Sequence, residues 1–310
     1  MSQVQIKEVA SEHAGQRLDN FLLRELKGVP RTRIYRALRK GEVRVNKGRV
    51  KADYRLERGD LVRIPPLQQA ADTAAPPPVP RRWQRLLLDN LVFETDQIWV
   101  LNKPSGLAVH GGSGLSIGLI ECLRQLAPAE RFLELVHRLD RDTSGCIMVA
   151  RKPAVLKALH RALREDAVQK RYLALVKGHW PDGRQHIDMP LRKNTLQSGE
   201  RMVRVDKAGK PSVTEFSVVE RFPMATLVEA RPLTGRTHQI RVHAQQAGCP
   251  ILGDAKYGDD ASLALANHIG LKRLFLHAAS LRCKLPEIEI NASAPLEPSL
   301  EALLSTLRAG

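Results

Sequence analysis

No CxxC pair occurs in this 310-residue chain, and its four cysteines, Cys122, Cys146, Cys249 and Cys283, are scattered. Such spacing offers neither a zinc site nor a disulfide framework, so free thiols in a reducing cytoplasm are expected. HExxH is absent among the ten histidines; His238 and His243 stand five apart, one off the spacing that stacks two ligands on a helix face. Without GxxxxGK[ST] or GxGxxG, a nucleotide cofactor has no phosphate cradle. No apolar run reaches transmembrane length, and the opening MSQVQIKEVA is too polar for a secretory leader. The expectation is a protein with no metal, no cofactor and no membrane.

Acid is also scarce. The chain sets 33 acidic residues against 49 basic ones, for a net charge of +16. That excess predicts a polyanionic partner, and with membranes disfavoured, nucleic acid leads. At 43% hydrophobic and 26% charged, the composition is globular, with length for one large domain or two unequal ones.

The one low-complexity stretch, LQQAADTAAPPPVPRR, cannot hold a core and reads as an extended spacer over 66–82. It separates a small module, 1–65, from a larger domain, 83–310. The module holds 16 basic and 8 acidic residues, half of the net charge. In RLDNFLLREL, Leu18, Phe21, Leu22 and Leu26 form one apolar stripe at helical spacing. RTRIYRALRKG predicts a second helix stopped by Gly41, and VRVNKGRV a hairpin pairing Val43 and Val45 toward Val50. Arg31, Arg33, Arg36, Arg39, Lys40, Arg44, Lys47, Arg49 and Lys51 face a single acid, Glu42, over this stretch. A charge run is often only a solvated face; here one helix and the adjoining hairpin should bring the positives to one surface. A helix pair followed by a short hairpin resembles the S4 RNA-binding module, over roughly 15–64.

In the large domain, strand patterns appear in IWVLNK, CIMVARK, KRYLALVKG, MVRV, SVTEFSVVE, ATLVEARP and RLFLHAASL. Helical patterns cover 116–126, 153–165, 237–247 and the C-terminus from about 298. Strands outnumber helices and several are joined by short connections. The fold expected is α+β, a mixed, largely antiparallel sheet with flanking helices.

Several catalytic patterns fail on geometry. GLSIG fits the GxSxG elbow, but HGGSG lies directly before it, where an oxyanion loop from an earlier strand–helix connection cannot be. HRLD has the kinase loop's Leu and Asp inverted, and no DFG follows. A glycosidase pair must straddle a sugar bond, and Asp140 and Asp142, two apart in sequence, need not face each other, so a single essential carboxylate is the more economical assumption. What remains is VHRLDRDTSG, 136–145, with five ionisable side chains and an acid, Asp140, between Arg138 and Arg141. A turn decorated with charge would also explain it. A single essential carboxylate beside an RNA-binding module suggests redox-neutral chemistry without a second substrate.

LNKPSGLAVHGG (101–112), HRLDRDTSG (137–145), KRYLALVKG (170–178), GRTHQIRVH (235–243) and RLFLHAA (273–279) occur in this order after the S4-like module. In this the chain resembles the pseudouridine synthases that modify large-subunit ribosomal RNA. LRKNTLQSGERMVRV and GKPSVTEF further resemble the branch serving several 23S uridines, while Cys249 stands where many relatives carry histidine. The resemblance implies 23S rRNA or the assembling large subunit as partner, a cytoplasmic monomer and no cofactor. It places catalysis on Asp140, which would attack C1′ or take the C2′ proton. Both routes need Asp140 ionised in a closed pocket, and the resemblance gives it Arg241 as ion-pair partner. It makes Tyr172 the ring that stacks on the uracil, although strand tyrosines are also ordinary core. Arg138 would fill the gap left by the flipped nucleotide, or simply bind phosphate, and Leu276 would close the other face of the base. Two alternatives share these features: a tRNA pseudouridine synthase, and a non-catalytic RNA-binding assembly factor on the same fold.

Overall fold

The computed structural model describes residues 4–26, 28–67, 78–111, 117–183, 185–195 and 201–309. They fall into two compact units, Met1–Pro77 and Pro78–Gly310. Most of the proline-rich stretch, 68–77, lies outside the described residues, as do residues 114–116 of GLSIG and 196–200 of LRKNTLQSGERMVRV.

The first unit contains β1 (Gln5–Glu8), α1 (Leu18–Glu25), α2 (Arg31–Lys40), β2 (Arg44–Val45) and β3 (Leu61–Ile64). Leu18, Phe21, Leu22 and Leu26 are all buried, packed with Ile34, Ala37 and Leu38 of α2. Gly41 ends α2 at φ 68°, a left-handed cap that other residues adopt only with strain. Of the hairpin expected over 43–50 only the turn forms: Val45 and Gly48 exchange N–H···O bonds at 3.1 and 2.8 Å, and the pairing does not continue to Val50. Asn46 (φ 49°) and Lys47 (φ 67°) turn the chain sharply, but β2 pairs with β3 instead. The turn residue decides this: Asn46 donates to Asp60 Oδ1 at 2.7 Å and accepts from the Leu61 N–H at 2.9 Å. Those contacts set β2 beside β3 in a sheet ordered β1-β3-β2. Leu67 is buried in this core, so the unit extends past residue 65.

The second unit opens with α3 (Arg81–Asp89), which begins inside the stretch assigned to the spacer. Then come β4 (Leu91–Glu94), β5 (Ile98–Lys103), α4 (Leu119–Leu126), β6 (Glu134–Leu135), β7 (Ser144–Ala150) and α5 (Pro153–Arg164). β8 (Val168–Lys177), β9 (His186–Asp188), β10 (Leu191–Thr195), β11 (Arg201–Val205), β12 (Val213–Arg221) and β13 (Ala225–Pro232) follow. The chain closes with α6 (Gln239–Gln246), α7 (Asp260–His268), β14 (Leu276–Leu285), β15 (Ile288–Ser293) and α8 (Pro298–Ala309).

The main sheet runs β4-β5-β7-β14-β8-β13-β12-β9, with β15 on β14 and β6 on β7. Among the described residues only β7 and β14 pair in parallel. All seven residues of β7 are buried, as its continuous apolar run requires of a central strand. Alternation along β8 divides the core. Ala174 and Val176 pack with the cluster that includes Leu123 of α4 and Leu159 of α5, whereas Leu175 packs with Leu300 and Leu304 of α8. Tyr172, Ala230, Leu276 and Ala278 belong to the first cluster. Tyr172 pairs across the sheet with Ala230 and Ala278, and Leu276 with Ala174. Small neighbours around one tyrosine leave open space above it.

Gly145 enters β7 at φ +106°, and a Cβ there would meet the Ala278 carbonyl oxygen at 2.3 Å. Only glycine lets β7 approach β14 this closely, and this contact fixes the strand that follows the Asp140 turn.

Candidate active site

Asp140 sits in the turn before β7, where the Thr143 N–H donates to the Asp140 carbonyl at 3.2 Å. The turn is pinned from two sides. Ser144 Oγ accepts from Arg273 Nη2 at 2.9 Å and lies 2.9 Å from His277 Nδ1. His277 Nε2 lies 3.0 Å from the Ala294 carbonyl, so it carries the hydrogen and Nδ1 accepts from Ser144. On the other side, the fully buried Lys103 donates to the carbonyls of Pro104, Leu107 and Arg141 at 2.8, 2.9 and 3.0 Å. LNKPSG thereby clamps HRLDRD.

Burial pulls the Lys103 ammonium down to about 7, while three carbonyl acceptors favour the form with three hydrogens to give. Lys103→Met leaves those carbonyls without a donor and is expected to cost about 3 kcal/mol, at roughly 1 kcal/mol each. The gap should depend on pH with a definite sign. Because the folded pKa of about 7 lies below the unfolded 10.5, the unfolded chain binds more protons in that window. Wild-type stability therefore rises relative to the variant between those values. Urea unfolding at pH 7 and 9.5 checks both expectations.

A cavity of about 680 Å³ opens beside this turn, lined by Arg138, Asp140, Tyr172, His238, Arg241 and Leu276 among others. Five residues singled out from four separate motifs thus share one space. Tyr172 and Leu276 are nearly buried on the sheet face, and burial pushes the Tyr172 phenol upward, so it stays protonated. Arg138 is exposed at the rim.

The charges are arranged differently from the sequence expectation. Arg141 turns away to Asp142, with Nε 3.1 Å from Oδ1, so Asp140 is not held between neighbouring arginines. Arg241, from the first turn of α6, brings Nη1 to 3.7 Å from Asp140 Oδ2. Its fork, however, belongs to Asp254: Nε and Nη2 each donate to that carboxylate at 2.7 Å. Asp254 also accepts the N–H groups of Lys256 and Tyr257 at 2.9 and 3.0 Å. Burial opposes the Arg241 charge, but the Asp254 hydrogen bonds and the fields of Asp254 and Asp140 outweigh it. The guanidinium is thereby fixed by one carboxylate while it faces the other.

His238, which lies within GRTHQIRVH but has no role at the level of sequence beyond its rejection as a metal ligand, brings Nε2 to 3.8 Å from Asp140 Oδ2. Asp254 and Tyr257 were also missed. GDAKYG carried the signal, since Gly253 and Gly258 frame a tight turn around an acid. The Thr234–His238 loop is held by Gln239, whose Oε1 accepts from Thr234 Oγ1 at 2.7 Å and from the Arg236 N–H at 3.0 Å.

In the first unit, Arg36, Arg39, Lys40 and Lys47 are exposed. Arg44 reaches the Gly41 and Lys47 carbonyls at 3.4 and 3.3 Å, and the Arg49 side chain lies against Gly41. Both therefore gather at the C-terminal end of α2. Arg33 is engaged by Glu42 at 3.1 Å, and the Arg31 side chain lies outside the described residues.

A family model described as RNA pseudouridylate synthase matches residues 97–246, and one described as S4 domain matches residues 16–62. The ribosomal large subunit pseudouridine synthase C of Haemophilus ducreyi is 55% identical over 308 residues, spanning 99% of this chain and 96% of that protein. Its Escherichia coli K12 counterpart is 55% identical over 313 residues, spanning 98% and 97%. Among solved structures, human RNA pseudouridylate synthase domain containing 4 aligns with TM-score 0.62 and 28% identity, over 73% of this chain and 96% of that one. The first matched segment contains Asp140, Tyr172 and Arg241, and the second contains the basic α2; the chain belongs to the RNA pseudouridylate synthase family and carries an S4 domain.

Proposed function

We propose that this protein acts in the cytoplasm on large-subunit (23S) ribosomal RNA, isomerising uridines with Asp140 as its one catalytic carboxylate. The observation that carries the reading is the shared cavity: Asp140 stands beside Tyr172, Leu276 and Arg241, with Arg138 at the rim. A uridine must leave its stack to reach such a pocket, and the Tyr172 ring offers a π-face in exchange. The alanines beside Tyr172 leave room for the uracil to turn, and Leu276 covers it. Arg138, exposed at the cavity mouth, enters the gap that the uridine leaves in the RNA. Asp140 then meets the ribose as N1–C1′ breaks and C5–C1′ forms. Attack at C1′ and removal of the C2′ proton both fall to its carboxylate, which the Arg241 guanidinium faces with Nη1 3.7 Å from Oδ2. Tritium release from [5-³H]uridine-labelled 23S fragments and from tRNA tests the reading. Turnover on the 23S fragments is the supporting result, and release from tRNA alone would redirect it.

Arg36, Arg39, Lys40 and Lys47 supply phosphate contacts that position the RNA without reading its sequence. Replacing all four by glutamine should weaken binding and lower the salt slope of log K by about 0.7 to 0.9 for each phosphate no longer neutralised. Turnover at saturating RNA should stay close to wild type. An unchanged slope would reduce this face to solvated charge.

A further inference from the structure

His238 is one of four non-glycine residues with positive φ among the described residues, at φ 54° and ψ 19° immediately before α6. Histidine reaches the left-handed region only at some cost, and such strain persists where neighbouring contacts impose it. Here the conformation lets the ring span two partners. Its Nδ1 lies 2.7 Å from Tyr257 Oη, and its Nε2 lies 3.8 Å from Asp140 Oδ2. The His238 and Tyr257 rings meet edge-on, with centroids 5.4 Å apart at 71°.

The hydrogen between Nδ1 and Oη can be assigned. Tyr257 is buried, and its Oη already accepts the Val203 N–H of β11 at 3.0 Å. Burial also pushes the phenol upward, so it keeps its proton. Were Nδ1 to donate, the phenolic hydrogen would have no acceptor among the described residues, an expensive arrangement in a buried site. The hydroxyl therefore donates to Nδ1. Burial holds His238 below its usual value, with Asp140 and Asp254 pulling upward and Arg241 and Lys256 downward, so the ring is neutral. Its single hydrogen then sits on Nε2, facing a carboxylate that can only accept. The opposite tautomer would turn a lone pair toward that negative charge. Both ends of the ring select the same state.

We propose that Tyr257, itself oriented by the Val203 N–H, locks His238 as the Nε2–H tautomer, and that His238 is a positioning residue for Asp140. At 3.8 Å its Nε2–H stands just beyond hydrogen-bond length and orients Oδ2 through its dipole, while Arg241 supplies the charge. The hairpin of β10 and β11 is thereby tied to the active site, consistent with the packing of Leu191 and Val203 against Tyr257 and Val242 of α6. The inference rests on Asp140 being the catalytic carboxylate, and its test separates the two ideas.

Long-range ¹H–¹⁵N spectra of the full-length protein, labelled with ¹⁵N-histidine and assigned by comparison with His238→Gln, report the tautomer without any turnover. Nδ1 should appear pyridine-type and Nε2 pyrrole-type at pH 7.5, and Tyr257→Phe should give a mixture of the two. In kinetics, His238→Phe should lose about 10- to 100-fold in kcat with KM for RNA little changed, the range typical when an orienting partner is removed. His238→Gln, whose amide N–H reaches the place of Nε2–H, should recover most of that loss. A pyrrole-type Nδ1 in the wild type, or full turnover by His238→Phe, would overturn the proposal while leaving Asp140 in its role. Full turnover by Asp140→Asn would remove the reading beneath it.

Discussion

Asp140→Asn is expected to lower turnover at least ~10³-fold, about 4 kcal/mol of barrier, while RNA binding survives. Asparagine keeps the shape and one acceptor but can neither attack C1′ nor take the C2′ proton. It also presents an amide to Arg241 Nη1 and His238 Nε2, two groups that in the wild type face an oxygen. The turn itself should persist, because it is held by the backbone of Asp140, by Lys103 and by Ser144. Asp142→Asn provides the contrast. That side chain is half-buried and pairs with the neighbouring Arg141, so an ion pair worth less than about 1 kcal/mol is lost. Single-turnover tritium release for the two variants measures the difference. Comparable losses in both would indicate that the turn, and not the Asp140 carboxylate, is what matters.

The second large effect is on stability. Asp254→Asn removes the negative member of a buried pair and leaves the Arg241 guanidinium, only 8% exposed, without its bidentate partner. Breaking such a pair from one side typically costs about 3 to 5 kcal/mol, because an uncompensated charge stays buried. The amide also has only one oxygen for the two Arg241 N–H groups and the N–H groups of Lys256 and Tyr257. Activity should fall beyond what unfolding explains, since a released guanidinium can close directly onto Asp140 and obstruct the ribose. Urea unfolding and kcat on the folded fraction separate these effects. Arg241→Met with Asp254→Leu, which deletes both charges, should recover stability and not activity.

What the sequence revealed and what it concealed follow from how local each interaction is. The α1 stripe, the Gly41 cap and the helical patterns at α4, α5 and α6 depend on residues within a turn or two, and all are present. The 43–50 hairpin closes at Val45 and Gly48 but goes no further, because β2 is paired with β3 and Asn46 is held by Asp60 and Leu61, partners that no local pattern announces. α7 was missed for another reason. Its alanine-rich run buries only Ser262 and Ala266, so there is no apolar stripe to read. α3 was not anticipated: its first two residues, Arg81 and Arg82, fall within the spacer, where proline and arginine obscured its start.

In the site, the motifs brought Asp140, Tyr172, Arg241, Arg138 and Leu276 to one cavity. The pairing of Arg241 was only half legible. A nearby guanidinium could be anticipated, but the carboxylate that holds its fork lies 13 residues further on, beyond the motif that carries the arginine. Cys249, at the position where the resemblance leads one to expect histidine, is buried with its thiol 3.3 Å from the His179 carbonyl, away from the cavity lining. The sequence rules His238 out as a metal ligand but gives it no other role, because its significance lies in a backbone conformation and in Tyr257, neither of which a motif spells out.

The central claim is that Asp140 in this cavity makes pseudouridine in large-subunit ribosomal RNA. Pseudouridine mapping across 23S rRNA and tRNA is the most direct measurement, in cells lacking the protein and in the same cells given wild type or Asp140→Asn. The account predicts that a discrete set of 23S pseudouridines is lost without the protein, returns with wild type and stays absent with Asp140→Asn. An unchanged 23S pattern in cells lacking the protein, or full restoration by Asp140→Asn, would contradict it.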